Sequence, residues 1–210
     1  MGTVSGNSAV TNSNGTFELS GGTVNVTGRF KISGGISEIT GGTLNIATIG
    51  HADNNEGAFH ITVTAALNIS GNPLITFSHP NSNAIPYNDI EILSGSGVKT
   101  ITGGTFQMGT SSTPANSTFK VNSDIPLYNF TVFNSNSSVS LTDNLTVNNQ
   151  LTLNGKLLLN DKNLIIGSTA PAVAGNFGAG DGMIITGTGE IQKLIGSNVS
   201  YTFPVGDLTG

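Results

Sequence analysis

Two phrases in register twenty residues apart constrain this chain more than any other feature. Residues 18–26 read ELSGGTVNV and residues 38–46 read EITGGTLNI, so Glu, Gly-Gly-Thr, Asn and the apolar positions coincide at that offset. Residues 101–108, ITGGTFQM, repeat the unit, and a related SGGI stands at 33–36. A repeat of this length is one layer of a stacked architecture. A single layer cannot bury its apolar face alone and gains stability only from its neighbours.

A second rhythm gives the layer its shape. Apolar couples stand at Leu145/Val147, Leu151/Leu153, Leu157/Leu159 and Leu164/Ile166. Each is an i, i+2 pair, so both side chains lie on one face of a strand. Leu145 and Leu164 are 19 residues apart with three steps between them, close to the offset of the first repeat. Three short strands per coil of about 20 residues predict an all-β chain wound as a right-handed parallel β-helix, a β-solenoid with three parallel sheets. The Gly-Gly pairs at 21–22, 41–42 and 103–104 would occupy corners, where positive φ favours glycine. Asn25 and Asn45 would stack as a ladder of amides. The alternative fold is an antiparallel β-sandwich, or a propeller. Steps of six residues leave little room for the hairpins those folds need. Gly interrupts every helical pattern.

The coils are expected over 1–166, with loops at 51–58 (HADNNEGA), 78–89 (SHPNSNAIPYND) and 109–118 (GTSSTPANST). The Gly- and Ala-rich stretch 167–182 is expected to turn away from the stack. Residues 167–210 are then the last strands, continuing into a following region absent here. About ten coils at about 4.8 Å each would make a rod of roughly 50 Å. The last residues, GDLTG, contain no obvious cap for an open strand edge, which points to a chain cut from a longer protein.

Composition excludes several classes. Charged residues are 9% and hydrophobic residues 36%, with Val, Ile, Leu and Thr throughout, a balance that favours short strands over disorder. Seven Lys and Arg against twelve Asp and Glu give a net charge of −5, without the basic stripe that nucleic acid or an anionic membrane requires. There is no Cys, so disulfides and thiolate metal sites are excluded. No apolar run is long enough for a membrane-spanning helix. The first residues lack the basic start and apolar stretch of a signal peptide, so a secreted parent implies a mature or internal fragment.

The later half carries a resemblance. The phrases IPLYNFTVFNS (125–135), SLTDNLTVNNQLTLNGKLLLNDKNLIIG (140–167), ITGTGEIQKLIG (185–196) and YTFPVGD (201–207) resemble repetitive surface proteins of Bacteroidota. It covers roughly residues 118–207, and the earlier Gly-Gly-Thr coils share the style. Such proteins look like type IX secretion cargo with adhesin-like β-helix repeats. The resemblance implies an extracellular, cell-surface location and a structural or adhesive role. This chain lacks the sorting domain that such cargo carries at its C-terminus.

Candidate chemistry is sparse, and no cofactor is expected. His51, Asp53, Glu56 and His60 are two His and two carboxylates within ten residues, the donor types of a divalent metal site, although their spacing matches no standard motif. The alternative is a solvated turn. Asp89 and Glu91 form an i, i+2 carboxylate pair, the minimum for glycoside hydrolysis, and Tyr87 beside them could stack on a sugar. The alternative is ordinary surface charge. Arg29 and Lys31 read as a solvated strand face, and Tyr128 and Tyr201 as packing residues. Thr23, Thr43 and Thr105 form too short an array for an ice-binding face. The reading is therefore a structural and adhesive module, not an enzyme, whose partners are surface glycans or another cell-surface protein. A polysaccharide lyase or hydrolase and a carbohydrate-binding module are the rivals. The three loops are where either would place a site.

Overall fold

The two repeated phrases lie side by side. In the computed structural model Thr16–Val26 and Ile36–Ile46 pair in parallel, with Glu18 opposite Glu38, Leu19 opposite Ile39, Val24 opposite Leu44 and Asn25 opposite Asn45. The structure describes residues 3–4 (backbone alone), 10–53, 55–83, 87–178, 180–196 and 200–207. The N-terminal stretch and the chain end read above, and residues 54 and 84–86 of two loops, fall wholly or partly outside them.

Among the described residues there is no helix, and every paired strand is parallel. That excludes the antiparallel sandwich. The chain is an all-β, solenoid-like stack of parallel strands. One sheet has eight strands, from Val10–Asn12 through Phe30–Ile32, Phe59–Ile61, Ile90–Ile92, Ser117–Ser123, Ser137–Leu141 and Lys156–Leu158 to Met183–Ile185. The other sheet bends into two faces. Ile36–Ile39 pairs with Ala66–Ile69, whereas Thr43–Ile46 of the same strand pairs with Leu74–Phe77. The bend falls at Gly41-Gly42. Gly42 has φ +75°, and a Cβ there would lie 2.6 Å from the Gly22 carbonyl oxygen of the coil beneath. Each coil thus contributes to three faces. Eight rungs at about 4.8 Å span about 35 Å from first to last.

Alternation sets what fills the interior. Phe30, Phe59 and Ile90 stack in one inward row and Ile32, Ile61 and Ile92 in the next, all with no exposed surface. The Phe30 and Phe59 rings stack at 5.6 Å with an 8° interplanar angle, and Phe106 meets Phe59 edge-on at 5.7 Å. The outward amides form the expected ladder: Asn45 Nδ2 donates to Asn25 Oδ1 at 2.7 Å, and Thr76 Oγ1 donates to Asn45 Oδ1 at 2.7 Å. A second ladder, Asn149 Nδ2 to Asn129 Oδ1 at 2.8 Å, escaped the sequence reading. The threonine row is broken, because Leu74 stands between Thr43 and Thr105.

Coil length is not uniform. Val10 to Phe30 and Val121 to Leu141 keep the 20-residue offset. Phe30 to Phe59 takes 29 residues, and Phe59 to Ile90 and Ile90 to Val121 take 31 each. Most of the excess lies in three loops at one corner: 47–58, 78–89 and 109–116, close to the expected bounds. The stack also continues past residue 166. Ala174–Gly175 pairs with Thr152–Leu153, Met183–Ile185 with Lys156–Leu158, and Ile191–Lys193 with Leu164–Ile166, so 167–182 does not leave it entirely.

Phe59 touches aromatic rings from three other strands, so truncation leaves a cavity no single neighbour can fill. Phe59→Ala should cost about 3–5 kcal/mol, read from the urea denaturation curve.

Candidate functional site

The three loops meet because they leave the stack at the same corner of successive coils. They also pair with each other. His51 bridges Asn81 in parallel, Ser82 N–H donates to the His51 carbonyl at 2.9 Å, and Thr113 Oγ1 donates to the Ser78 carbonyl at 2.7 Å. Part of this layer folds back over the outer face of the eight-stranded sheet. There the outward row runs Lys31, His60, Glu91, Asn122, with Asp89 one step before the Ile90–Ile92 strand. Most outward residues elsewhere are at least partly exposed. At Phe59–Ile61 and Ile90–Ile92 all three positions are buried, because the loops cover them.

The cover rests on two buried His–carboxylate pairs. His51 Nε2 lies 3.3 Å from Asp89 Oδ1, both side chains being 1% exposed. His60 Nδ1 lies 2.7 Å from Glu91 Oε2. That contact is close but poorly aligned, leaving Oε2 without a well-directed donor, and Gly57 N–H also approaches His60 Nδ1 at 3.2 Å. Asp89 is saturated otherwise: Asn81 N–H donates to Oδ1 and Lys120 N–H to Oδ2, both at 2.8 Å. One carboxylate therefore joins two loop residues to the strand of the next coil. Asn88 Nδ2 donates to Glu91 Oε1 at 3.4 Å, and Thr142 Oγ1 donates to Asn88 Oδ1 at 2.6 Å. Gly57 presses on Glu91: a Cβ there would sit 2.9 Å from the Glu91 Cβ.

Electrostatics separates the two carboxylates. Burial pushes Asp89 above its ordinary value, against the pull of His51 and its backbone donors. Burial pushes Glu91 upward too, but the close His60 ring, the Tyr87 hydroxyl and the Asn88 amide outweigh it and hold Glu91 below. The hydrogen bond to Glu91, the leading cause, raises Tyr87 to about 12. Glu56 is held low chiefly by its hydrogen bond from Lys31.

The structure therefore divides the sequence candidates differently from their spacing. His51, Asp53, Glu56 and His60 do not converge on one point. Asp53 and Glu56 accept from Arg29 Nη1 at 2.7 and 2.5 Å, and Glu56 also pairs with Lys31. The two His turn to Asp89 and Glu91. Among the described residues no three His or carboxylate side chains are placed to hold a metal. Arg29 and Lys31 are ion-paired rather than freely solvated. Asp89 and Glu91 are buried rather than surface charge, at 1% exposure each, and they turn to different partners, with Tyr87 bonded to Glu91. An acid–base pair must touch the glycosidic oxygen, and these two carboxylates are buried beneath the loops.

What the loops present outward is a groove of about 380 Å³ between them, with Ile49, His79, Pro80, Asn81, Ser82 and Pro114 in its lining. His79 Nδ1 contacts the Ala47 carbonyl at 3.2 Å. Asp89 and Glu91 are buried beneath the cover, Tyr87 is half-buried, and none of the three lines the groove. No family model, curated protein or solved structure matches this chain. Among the described residues no helix is long and apolar enough to cross a membrane.

The pH dependence follows with its sign. Glu56 and Glu91 have folded values below 4.5, so their stabilisation is present above the unfolded value and lost as pH falls through the folded one. Asp89, raised, works the other way: its contribution is full below the unfolded value and lost as pH rises. Glu91→Gln should flatten the acid limb of the melting-temperature profile below pH 4.5. In the wild type, absorbance titration should show one tyrosine ionising at about 12, and Glu91→Gln should lower that value. Replacing His60 by Ala should cost about 1–3 kcal/mol by leaving Glu91 with one partner fewer.

Proposed function

We propose that this chain is a structural and adhesive segment of a secreted or cell-surface bacterial protein, in the manner of the Bacteroidota type IX cargo its phrases resemble. In this reading it is a right-handed parallel β-helix that stands as a stiff rod outside the cell and displays its loops from one corner. Handedness is supported by the general rule that parallel strand crossovers are right-handed in about 98% of cases. Partners would be surface glycans or another cell-surface protein meeting the loop groove.

One observation carries the reading. The three long loops fall on one corner of three successive coils, and their acidic and histidine side chains are spent on holding them there. Loops fixed by a buried polar layer form a firm surface for contact. The same observation argues against a lyase or hydrolase, whose carboxylates must reach substrate.

The test has two arms. Incubation with neutral and acidic polysaccharides should release no reducing ends and no unsaturated products. Beads coated with the protein should adhere to bacterial surfaces, and charges placed in the loop groove by Ile49→Asp with Pro114→Asp should weaken adhesion about tenfold. Both positions are exposed, so folding is expected to survive. Product release, or undiminished adhesion of the double variant, would sink the reading.

A further inference from the structure

A second groove runs along the stack at a different corner, between the two faces of the bent sheet. Two cavities of about 360 and 560 Å³ adjoin there and share Ser168 and Thr169. Their linings run from Ile101 and Thr102 through Tyr128, Asn148 and Ser168 to Leu194, across five successive turns of the chain. At about 4.8 Å per rung the groove is about 20 Å long and parallel to the axis.

Its chemistry is specific in what it omits. Among the described residues, no charged side chain lines either cavity. The nearest cation, Lys193, is already committed: its Nζ donates to the carbonyls of Ser168 at 3.2 Å and Ala170 at 2.9 Å and lies 5.1 Å from the Tyr201 ring centroid. Tyr201 itself closes the far end, with its hydroxyl donating to the Pro171 carbonyl at 2.9 Å and Phe203 against its ring at 4.8 Å. What remains toward the groove is the half-buried Tyr128, Leu194 at 51% exposure, and the exposed Asn148 and Thr169. Apolar surface interleaved with neutral hydrogen-bonding groups matches a ligand that alternates apolar faces with hydroxyls. An ion entering this groove would meet no charged side chain in its lining, and Lys193 behind it is already bonded to backbone carbonyls. An extended peptide would find no free ladder, since Leu164–Ile166 is already paired on both sides.

We infer that this groove binds a neutral linear oligosaccharide laid along the stack, with Tyr128 beneath a sugar ring and Asn148 at its hydroxyls. The inference goes beyond the loop-display reading and does not need it, because the loop groove and this one share no residue.

Titration calorimetry with neutral oligosaccharides long enough to span the groove (gluco-, manno-, xylo- and chito-series) tests it, with oligogalacturonate as the anionic control and a Gly/Ser/Thr peptide as the extended-chain control. At least one neutral series should bind, with an affinity indifferent to salt. Tyr128→Ala should weaken that binding about tenfold. Tyr128 also packs against the core, so Asn148→Arg serves as a second variant: the position is exposed, and the longer side chain obstructs the groove without touching the interior. It should abolish binding while leaving the circular dichroism melt unchanged, and Ile49→Asp with Pro114→Asp should bind like wild type. Silence across all neutral series, tighter binding of the anionic sugar or of the peptide, or full binding by Asn148→Arg would each overturn the proposal. If sugar binding is lost only in the loop double variant, the site is the loop groove instead, which overturns this inference and leaves the adhesive reading standing.

Discussion

Everything in this molecule depends on the inward apolar rows staying in register from rung to rung. Phe30 over Phe59 over Ile90, and Ile32 over Ile61 over Ile92, are buried only because each rung is covered by the next. A slip of one residue would turn each row outward, so register is strongly specified wherever the interior is apolar. Once the strands are pinned, chain length between them becomes free. A coil can take 18 residues, as from Val139 to Leu157, or 31, as from Phe59 to Ile90, with no change in the pairing. Insertions must then go to corners, and the three large ones go to the same corner.

That freedom brings a physical problem which the polar layer solves. Loops folded over an already polar outer face exclude water from His60, Asp89 and Glu91 and leave Lys31 half-buried. Burying such groups is unfavourable unless each finds a partner. The observed arrangement supplies partners from the loops themselves: His51 for Asp89, Tyr87 and Asn88 for Glu91, Asp53 and Glu56 for Arg29 and Lys31. Buried ion pairs contribute little net stability compared with apolar packing. Their effect here is to allow one loop conformation among many, since a displaced loop would strand charges without partners.

The sequence made the repeating parts of this structure legible and left the singular parts hidden. Gly-Gly corners, the Asn25–Asn45 ladder, the i, i+2 inward couples and the approximate positions of all three loops followed from periodicity, because stacking neighbours recur at a fixed offset. The candidate residues were also found, but their roles were not. His51, Asp53, Glu56 and His60 stand together in sequence yet divide between separate partners, and Asp89 with Glu91 passed for surface charge. Burial of an outward strand position is set by loops from other coils, which local alternation cannot reveal. Asn88 finds Thr142 at a separation of 54 residues, and Arg29 reaches Asp53 and Glu56 in the loop of the next coil. Neither distance is a multiple of the repeat, so no periodic signal points to it.

The same logic explains why the two outer surfaces differ in character. At the loop corner, long insertions bring charged groups close and force them to pair inward, so the exposed lining that remains is Ile49, Pro80 and Pro114 with a few neutral polar groups. At the corner between the two bent faces the insertions are short. There the register itself shifts, as between Leu127 and Asn129, so strands fail to close over one another and a trough runs along the axis. Its walls combine outward Asn, Ser and Thr with the core-packed Tyr128 and the connection 168–172, and the adjacent Lys193 is drawn into backbone carbonyls. A neutral groove parallel to the stack is thus a product of two features: a solenoid poor in charge, and a corner where the chain changes faces over short connections such as 167–173.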